Sequence, residues 1–248
     1  MEIVVNGIKT NYEVIGDGSP FLILHGWGSN AERWNEVALE LSRNGFKVII
    51  PDLPGFGKSG ALDMPWDLNK YVNWIDEFIK IYNLKNFYLA GHSFGGALSC
   101  KIAIGHNQEM KKMFLIAPAF HREKTAQKSF LKHIAKSVKI FYFLPFYGLF
   151  RKAVYKFILR KSDYVYVEGV MKQTYLNVVK EDIAFQIPFI RVPTVIIWGD
   201  KDESTPVKGA YFLNKEIKNS ILEIIPGAGH DLNRKYPQML AEKIIKNI

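Results

Sequence analysis

Gly91-His92-Ser93-Phe94-Gly95 sets a serine inside a G-x-S-x-G pattern, after an apolar run that ends at Ala90 and before a helical pattern that begins near Phe94. A sharp strand-to-helix turn there lifts the hydroxyl out of a sheet, and flanking glycines leave room for a strained backbone. The helix start beside it offers N–H groups and partial positive charge to an oxyanion, which marks Ser93 as a nucleophile for acyl chemistry. A serine hydroxyl needs a base. His230, in the glycine-lined Pro226-Gly227-Ala228-Gly229-His230-Asp231 after the last apolar run, stands at the sheet edge where such a base is placed, with His92 as its main competitor. An acid must hold the imidazole tautomer. Trp198-Gly199-Asp200-Lys201-Asp202 supplies Asp202, preferred because it lies deeper in the loop, and Asp200, which at the turn is expected to bond backbone.

The second donor of an oxyanion hole is expected from Leu24-His25-Gly26-Trp27-Gly28, so the N–H groups of Trp27 and Phe94 are the assigned pair. These residues need a scaffold. Apolar runs at 21–24, 47–50, 87–90, 112–117, 194–198 and 221–225 read as buried parallel strands. Helix-spaced apolar residues at 31–43, 68–82, 97–106, 207–214 and 237–245 alternate with them, as right-handed crossovers require. The first residues alternate around Asn6-Gly7 and predict an antiparallel hairpin at the sheet edge. The fold class is therefore α/β: a mostly parallel sheet, helices on both faces, and an N-terminal hairpin.

That rhythm breaks between 120 and 187, which predicts an inserted helical cap between two parts of one core, 1–119 and 188–248. Residues 121–180 hold 13 Lys or Arg against 3 Asp or Glu, a net of +10 in a chain whose formal charge is +9, so the basic character is local to the cap. Lys124, Lys128, Lys132 and Lys136 recur every four residues, opposite Phe130, Ile134, Val138 and Phe141. The plain reading is a solvated lysine face over a lid.

The chain has 248 residues with 48% hydrophobic content, enough for one core and too apolar for a disordered chain. The apolar run 140–150 is short and contains Pro145 and Gly148, so no spanning helix is expected. The first residues lack the charge and apolar run of a signal peptide, and the lone Cys100 forms no internal disulfide; a cytoplasmic location is expected. Gly55-Phe56-Gly57-Lys58-Ser59-Gly60 spells G-x-G-x-x-G, but a loop follows it and no helix start waits for a pyrophosphate. No H-E-x-x-H and no paired cysteines suggest a metal.

These residues in this order resemble the α/β-hydrolase family. The resemblance covers the chain apart from the cap. It rests on His25-Gly26-Trp27-Gly28, Asp52-Leu53-Pro54-Gly55-Phe56-Gly57-Lys58-Ser59, the elbow at Ser93, Trp198-Gly199 through Asp202, and Gly229-His230. The order serine, acid, histidine is that of the fold. It implies a cofactor-free carboxylic ester hydrolase with an acyl-enzyme on Ser93. The same triad in the family also serves hydrolysis of carbon–carbon bonds beside a ketone, and some members bind ligands without turnover. Some members with similar motifs act on acyl chains held by an acidic carrier protein, so the basic cap fits either such a carrier or an anionic membrane surface. Nucleic acid is not expected over a hydrolase site.

Overall fold

A computed structural model describes residues 1–105, 109–121 and 168–248. Its centre is an eight-stranded sheet in the order β1-β2-β4-β3-β5-β6-β7-β8. The strands are β1 (Glu2–Val5), β2 (Ile8–Ile15), β3 (Ser19–Leu24), β4 (Phe46–Pro51), β5 (Phe87–His92), β6 (Met110–Ile116), β7 (Thr194–Gly199) and β8 (Ile221–Ile225). The β1–β2 and β2–β4 pairings are antiparallel and the remaining five are parallel. Asn6 and Gly7 join β1 to β2 with φ of 47° and 78°, the left-handed pair that suits the strands' twist.

Alternation along each strand sorts the core onto two faces. Phe21 and Ile23 of β3, Phe114 and Ile116 of β6, and Val195 and Ile197 of β7 point to one cluster; Leu22, Leu24, Met113, Leu115, Ile196 and Trp198 point to the other. The helices α1 (Asn35–Arg43) and α7 (Pro237–Lys246) close the first face with Val37, Ala38, Leu41, Leu240, Ala241 and Ile244. On the second face lie α2 (Leu68–Ile81), α3 (Phe94–Gly105) and α5 (Lys208–Glu216). The α2 helix starts where the Asp67 side chain accepts from Lys70 N at 2.9 Å, and its Leu68, Tyr71, Trp74, Ile75, Phe78 and Ile79 form one buried stripe. Central α3 has no polar face to speak of: nine of its twelve residues, Phe94 to Cys100, Ile102 and Ala103, are buried.

The cap expected over 120–187 falls mostly outside the described residues, as does the lysine stripe. What is described of it is α4 (Gly169–Lys180) and a 3-10 turn at Ala184–Phe189. The first helix is split into a 3-10 turn, Ala31–Trp34, and α1, and a short α6 (Leu232–Lys235) precedes α7. Among the described residues no helix is long and apolar enough to cross a membrane.

The parallel strands finish at one edge, and two glycines make that edge compact. A Cβ on Gly95 would sit 2.1 Å from the Leu24 carbonyl oxygen, so α3 rests directly on the end of β3. A Cβ on Gly199 would sit 2.3 Å from the Ala228 oxygen, so the loop after β8 rests on the end of β7. Gly105, at the other end of α3, has nothing within 4 Å. Gly95→Ala is therefore expected to lower stability by about 1–3 kcal/mol through overpacking, and Gly105→Ala to be neutral or slightly stabilising. Urea unfolding of the two variants checks this; equal midpoints would contradict the close approach.

Candidate active site

The β5 strand runs through His92, and Ser93 follows with φ of 52°, a left-handed conformation that costs an ordinary residue energy. The surroundings hold it there. Ser93 N donates to the Ile116 oxygen at 3.0 Å, and the Ser93 oxygen accepts from Ala97 N at 3.1 Å and Ala119 N at 2.9 Å. Glycines make room on both sides: a Cβ on Gly91 would lie 2.2 Å from Ser99 Oγ, and one on Gly96 would lie 2.6 Å from Pro118 Cβ. Phe94 opens α3, where an N–H has no acceptor within the helix.

Beyond β7, Asp202 Oδ2 lies 2.7 Å from His230 Nδ1. Three further donors converge on this carboxylate: Ser204 N at 2.8 Å and Thr205 N at 2.9 Å on Oδ1, and Thr205 Oγ1 at 2.8 Å on Oδ2. Burial alone would raise the Asp202 pKa, but the bonds from His230 and Thr205 outweigh it and hold the carboxyl below its ordinary value. An ionised Asp202 can only accept, so His230 Nδ1 carries the proton and Nε2 keeps its lone pair. Asp200 turns elsewhere, its Oδ1 accepting from Gly227 N at 2.7 Å. With Lys201 N donating to the Ala228 oxygen at 2.9 Å, that bond lays the histidine loop across the acid loop.

Thr205 is a residue the motifs do not single out. Its hydroxyl touches both Asp202 and, at 3.2 Å, His230 Nδ1, and its carbonyl accepts from Trp198 Nε1 at 2.8 Å. An aspartate commonly bonds the backbone two residues on, so the run Asp202-Glu203-Ser204-Thr205 points to Ser204 N and not to the Thr205 hydroxyl.

Two buried histidines brace the site. His25 Nε2 accepts from Leu53 N at 2.9 Å, so Nδ1 is protonated and donates to the Gly26 oxygen at 2.8 Å, tying the loop after β3 to the loop after β4. Burial lowers its pKa and keeps it neutral. His92 Nε2 donates to the His230 carbonyl oxygen at 3.0 Å, and the two rings lie 4.8 Å apart. Burial, with the neighbouring His230, pushes the His92 pKa down to about 3. Exposed His121 pairs with Asp182 at 2.7 Å.

Trp27 projects from the loop after β3, its ring edge-on to Phe56, Phe94 and Tyr175 at 4.8, 5.4 and 5.2 Å. Trp27, Phe94 and Tyr175 line a pocket with Leu68, Ser93, Ala119, Val178, Val179 and Glu181. The loop with the G-x-G-x-x-G spelling folds around its own carboxylate. Asp52 accepts from Ala31 N, Asn11 Nδ2 and Lys58 N at 2.6, 2.8 and 2.8 Å, and a Cβ on Gly57 would fall 2.2 Å from Asp52 Oδ2. An acid thus stands where a phosphate would have to bind. Among the described residues no group of three His, Cys, Asp or Glu could hold a metal ion.

A family model described as serine aminopeptidase, S33, matches residues 20–234. The chain is 29% identical to a putative non-heme chloroperoxidase of Synechocystis, over 91% of this chain and 90% of that one. It is also 29% identical to the pimeloyl-[acyl-carrier protein] methyl ester esterase of Wigglesworthia glossinidia brevipalpis, over 95% of each. The crystal structure of an esterase from Exiguobacterium antarcticum superposes with a TM-score of 0.78 at 24% identity, covering 99% of this chain and 97% of that one, which shows the shared fold.

The buried His92 sets a pH dependence of stability. Its ordinary pKa is 6.5 and its folded value about 3, so below about pH 6.5 the unfolded chain binds a proton that the fold refuses. Its contribution is full above pH 6.5 and declines as pH falls toward 3. His92→Gln keeps an N–H for the His230 oxygen but does not titrate, so its stability is expected to fall less steeply between pH 6.5 and 4. Urea unfolding across that range checks this, and parallel curves for the two proteins would contradict it.

Proposed function

The chain belongs to the serine aminopeptidase S33 family of α/β hydrolases, and from that membership we propose that it is a serine hydrolase cleaving carboxylic esters through an acyl-enzyme on Ser93. His230 is the base and Asp202 orients it. The observation that carries this reading is the bond between Asp202 Oδ2 and His230 Nδ1 at 2.7 Å, because it leaves Nε2 as the nitrogen able to take a proton.

The steps follow. His230 Nε2 accepts the Ser93 hydroxyl proton as Oγ bonds to the ester carbonyl carbon, and the carbonyl oxygen becomes an oxyanion held by the N–H groups of Trp27 and Phe94. The tetrahedral adduct collapses, the carbon–oxygen bond to the alcohol breaks, and His230 returns its proton to the departing alkoxide. Water then repeats the sequence on the acyl-enzyme, giving the acid and free Ser93. Asp202 stays ionised throughout and stabilises the imidazolium formed in each half. Esterases and lipases among the relatives favour an ester as the bond cleaved. The cap is read as 120–187 between core segments 1–119 and 188–248, and its described residues Tyr175, Val178, Val179 and Glu181 line the pocket.

Hydrolysis of p-nitrophenyl esters with acyl chains from acetate to laurate tests the proposal. Ser93→Ala and His230→Ala are each expected to lower kcat/KM by at least about 1,000-fold. Turnover by Ser93→Ala at the wild-type rate would overturn the reading. Thr205→Val removes one donor from the Asp202 carboxylate while keeping shape, and is expected to lower kcat by about 5- to 50-fold with KM little changed; an unchanged kcat would remove Thr205 from the machinery.

A further inference from the structure

One wall residue of the Ser93 pocket does not match its neighbours. Trp27, Leu68, Phe94, Tyr175 and Val178 are apolar or aromatic, yet Glu181 shares their pocket. Glu181 caps the C-terminus of α4 and its Oε1 accepts from Lys101 Nζ, on the helix that begins at the elbow. The Lys101 side chain is 10% exposed and that of Glu181 26%. The chain just after Glu181 is anchored: Ile183 N donates to the Phe120 oxygen at 3.1 Å, and Asp182 is occupied by His121 and by Ala184 N.

An ion pair between α4 and α3 could serve only as a strut. Its place in the pocket gives it a second consequence. Lys101 engages Oε1, and among the described residues Oε2 has no other hydrogen-bond partner, so in a residue that lines the pocket Oε2 is the acceptor assigned to a bound group. A purely aliphatic group filling the pocket strips water from that acceptor and replaces nothing, which is costly in a low-dielectric wall. Charge narrows what can replace it. Lys101 already balances Glu181, so an ammonium would lie near the lysine and a carboxylate near the glutamate, both unfavourably. A neutral donor meets neither objection.

We propose that Glu181, neutralised and positioned by Lys101, makes this pocket selective for esters whose pocket-bound group carries a hydroxyl, with the hydroxyl donating to Glu181 Oε2. The inference rests on the ester-hydrolase reading of Ser93 and names the substrate class for that site.

The test compares kcat/KM for p-nitrophenyl esters of hexanoate and octanoate with those of 6-hydroxyhexanoate and 8-hydroxyoctanoate, and with 6-aminohexanoate and the adipate monoester as charged counterparts. At least one hydroxy ester is expected to exceed its unsubstituted partner by about tenfold or more, and both charged esters are expected to fall below the hydroxy ester of the same length. In the double variant Lys101→Met with Glu181→Leu, which removes both charges together, the ratio of hydroxylated to plain ester is expected to drop to one or below. A strut would change both rates by the same factor and leave that ratio alone. Wild-type turnover with no hydroxyl preference, or a double variant that keeps the preference, overturns the proposal and leaves the hydrolase reading standing. The wild-type ratio decides even where the double variant does not fold. Absence of Ser93-dependent turnover on every ester removes the hydrolase reading and this proposal with it.

Discussion

Backbone approaches too close for a side chain organise the working edge of this molecule. With Gly95 against the Leu24 carbonyl, the elbow and the loop bearing Trp27 share one surface; with Gly199 against the Ala228 carbonyl, the acid and histidine loops share another. A methyl group at either position would sit closer to a backbone oxygen than atoms in proteins do, so the separation of these loops would have to grow. Ser93 tolerates its left-handed φ because Ile116, Ala97 and Ala119 bond its backbone within that frame. The geometry of the site is thus a property of the sheet edge and not of any single loop.

Electrostatics at that edge follow from burial. His25 and His92 are excluded from water, stay neutral, and spend their ring N–H groups on the carbonyls of Gly26 and His230. Asp202 is also buried, but four hydrogen bonds converge on it and keep it charged. Three titratable groups within one small region are therefore driven to fixed states by solvation and hydrogen bonding. His230, bonded through Nδ1 and 21% exposed at its side chain, is the one set at the boundary with solvent.

Much of the scaffold was legible in the sequence because burial on both faces of a parallel sheet leaves short apolar runs, and those runs recur as β3 to β8. Boundaries moved where tertiary contacts overrode local preference. The fifth strand extends past Ala90 because Gly91 and His92 pair with Leu115 and Ile116, although neither residue favours a strand. Helix α3 begins at Phe94, where the elbow pattern places it, and Gly95 and Gly96 pack on Leu24 and Pro118 as helix. At the site, Asp202 and Asp200 were separable by position in the loop, and they bond His230 and Gly227 respectively. Thr205 was not legible, because a threonine before Pro206 reads as turn chemistry and its contact with Asp202 depends on the loop's path. The Lys101–Glu181 pair spans 80 residues, a separation at which no local pattern points from one partner to the other.

The account stands on Ser93 being a nucleophile activated by its surroundings. Its most direct test is reaction of the folded protein with a fluorophosphonate, followed by peptide mass mapping of the adduct. The account predicts one phosphonylated residue, Ser93, with modification slowed in His230→Ala and lost on denaturation. No adduct on the folded wild-type protein, or an adduct mapped to another side chain, would contradict it.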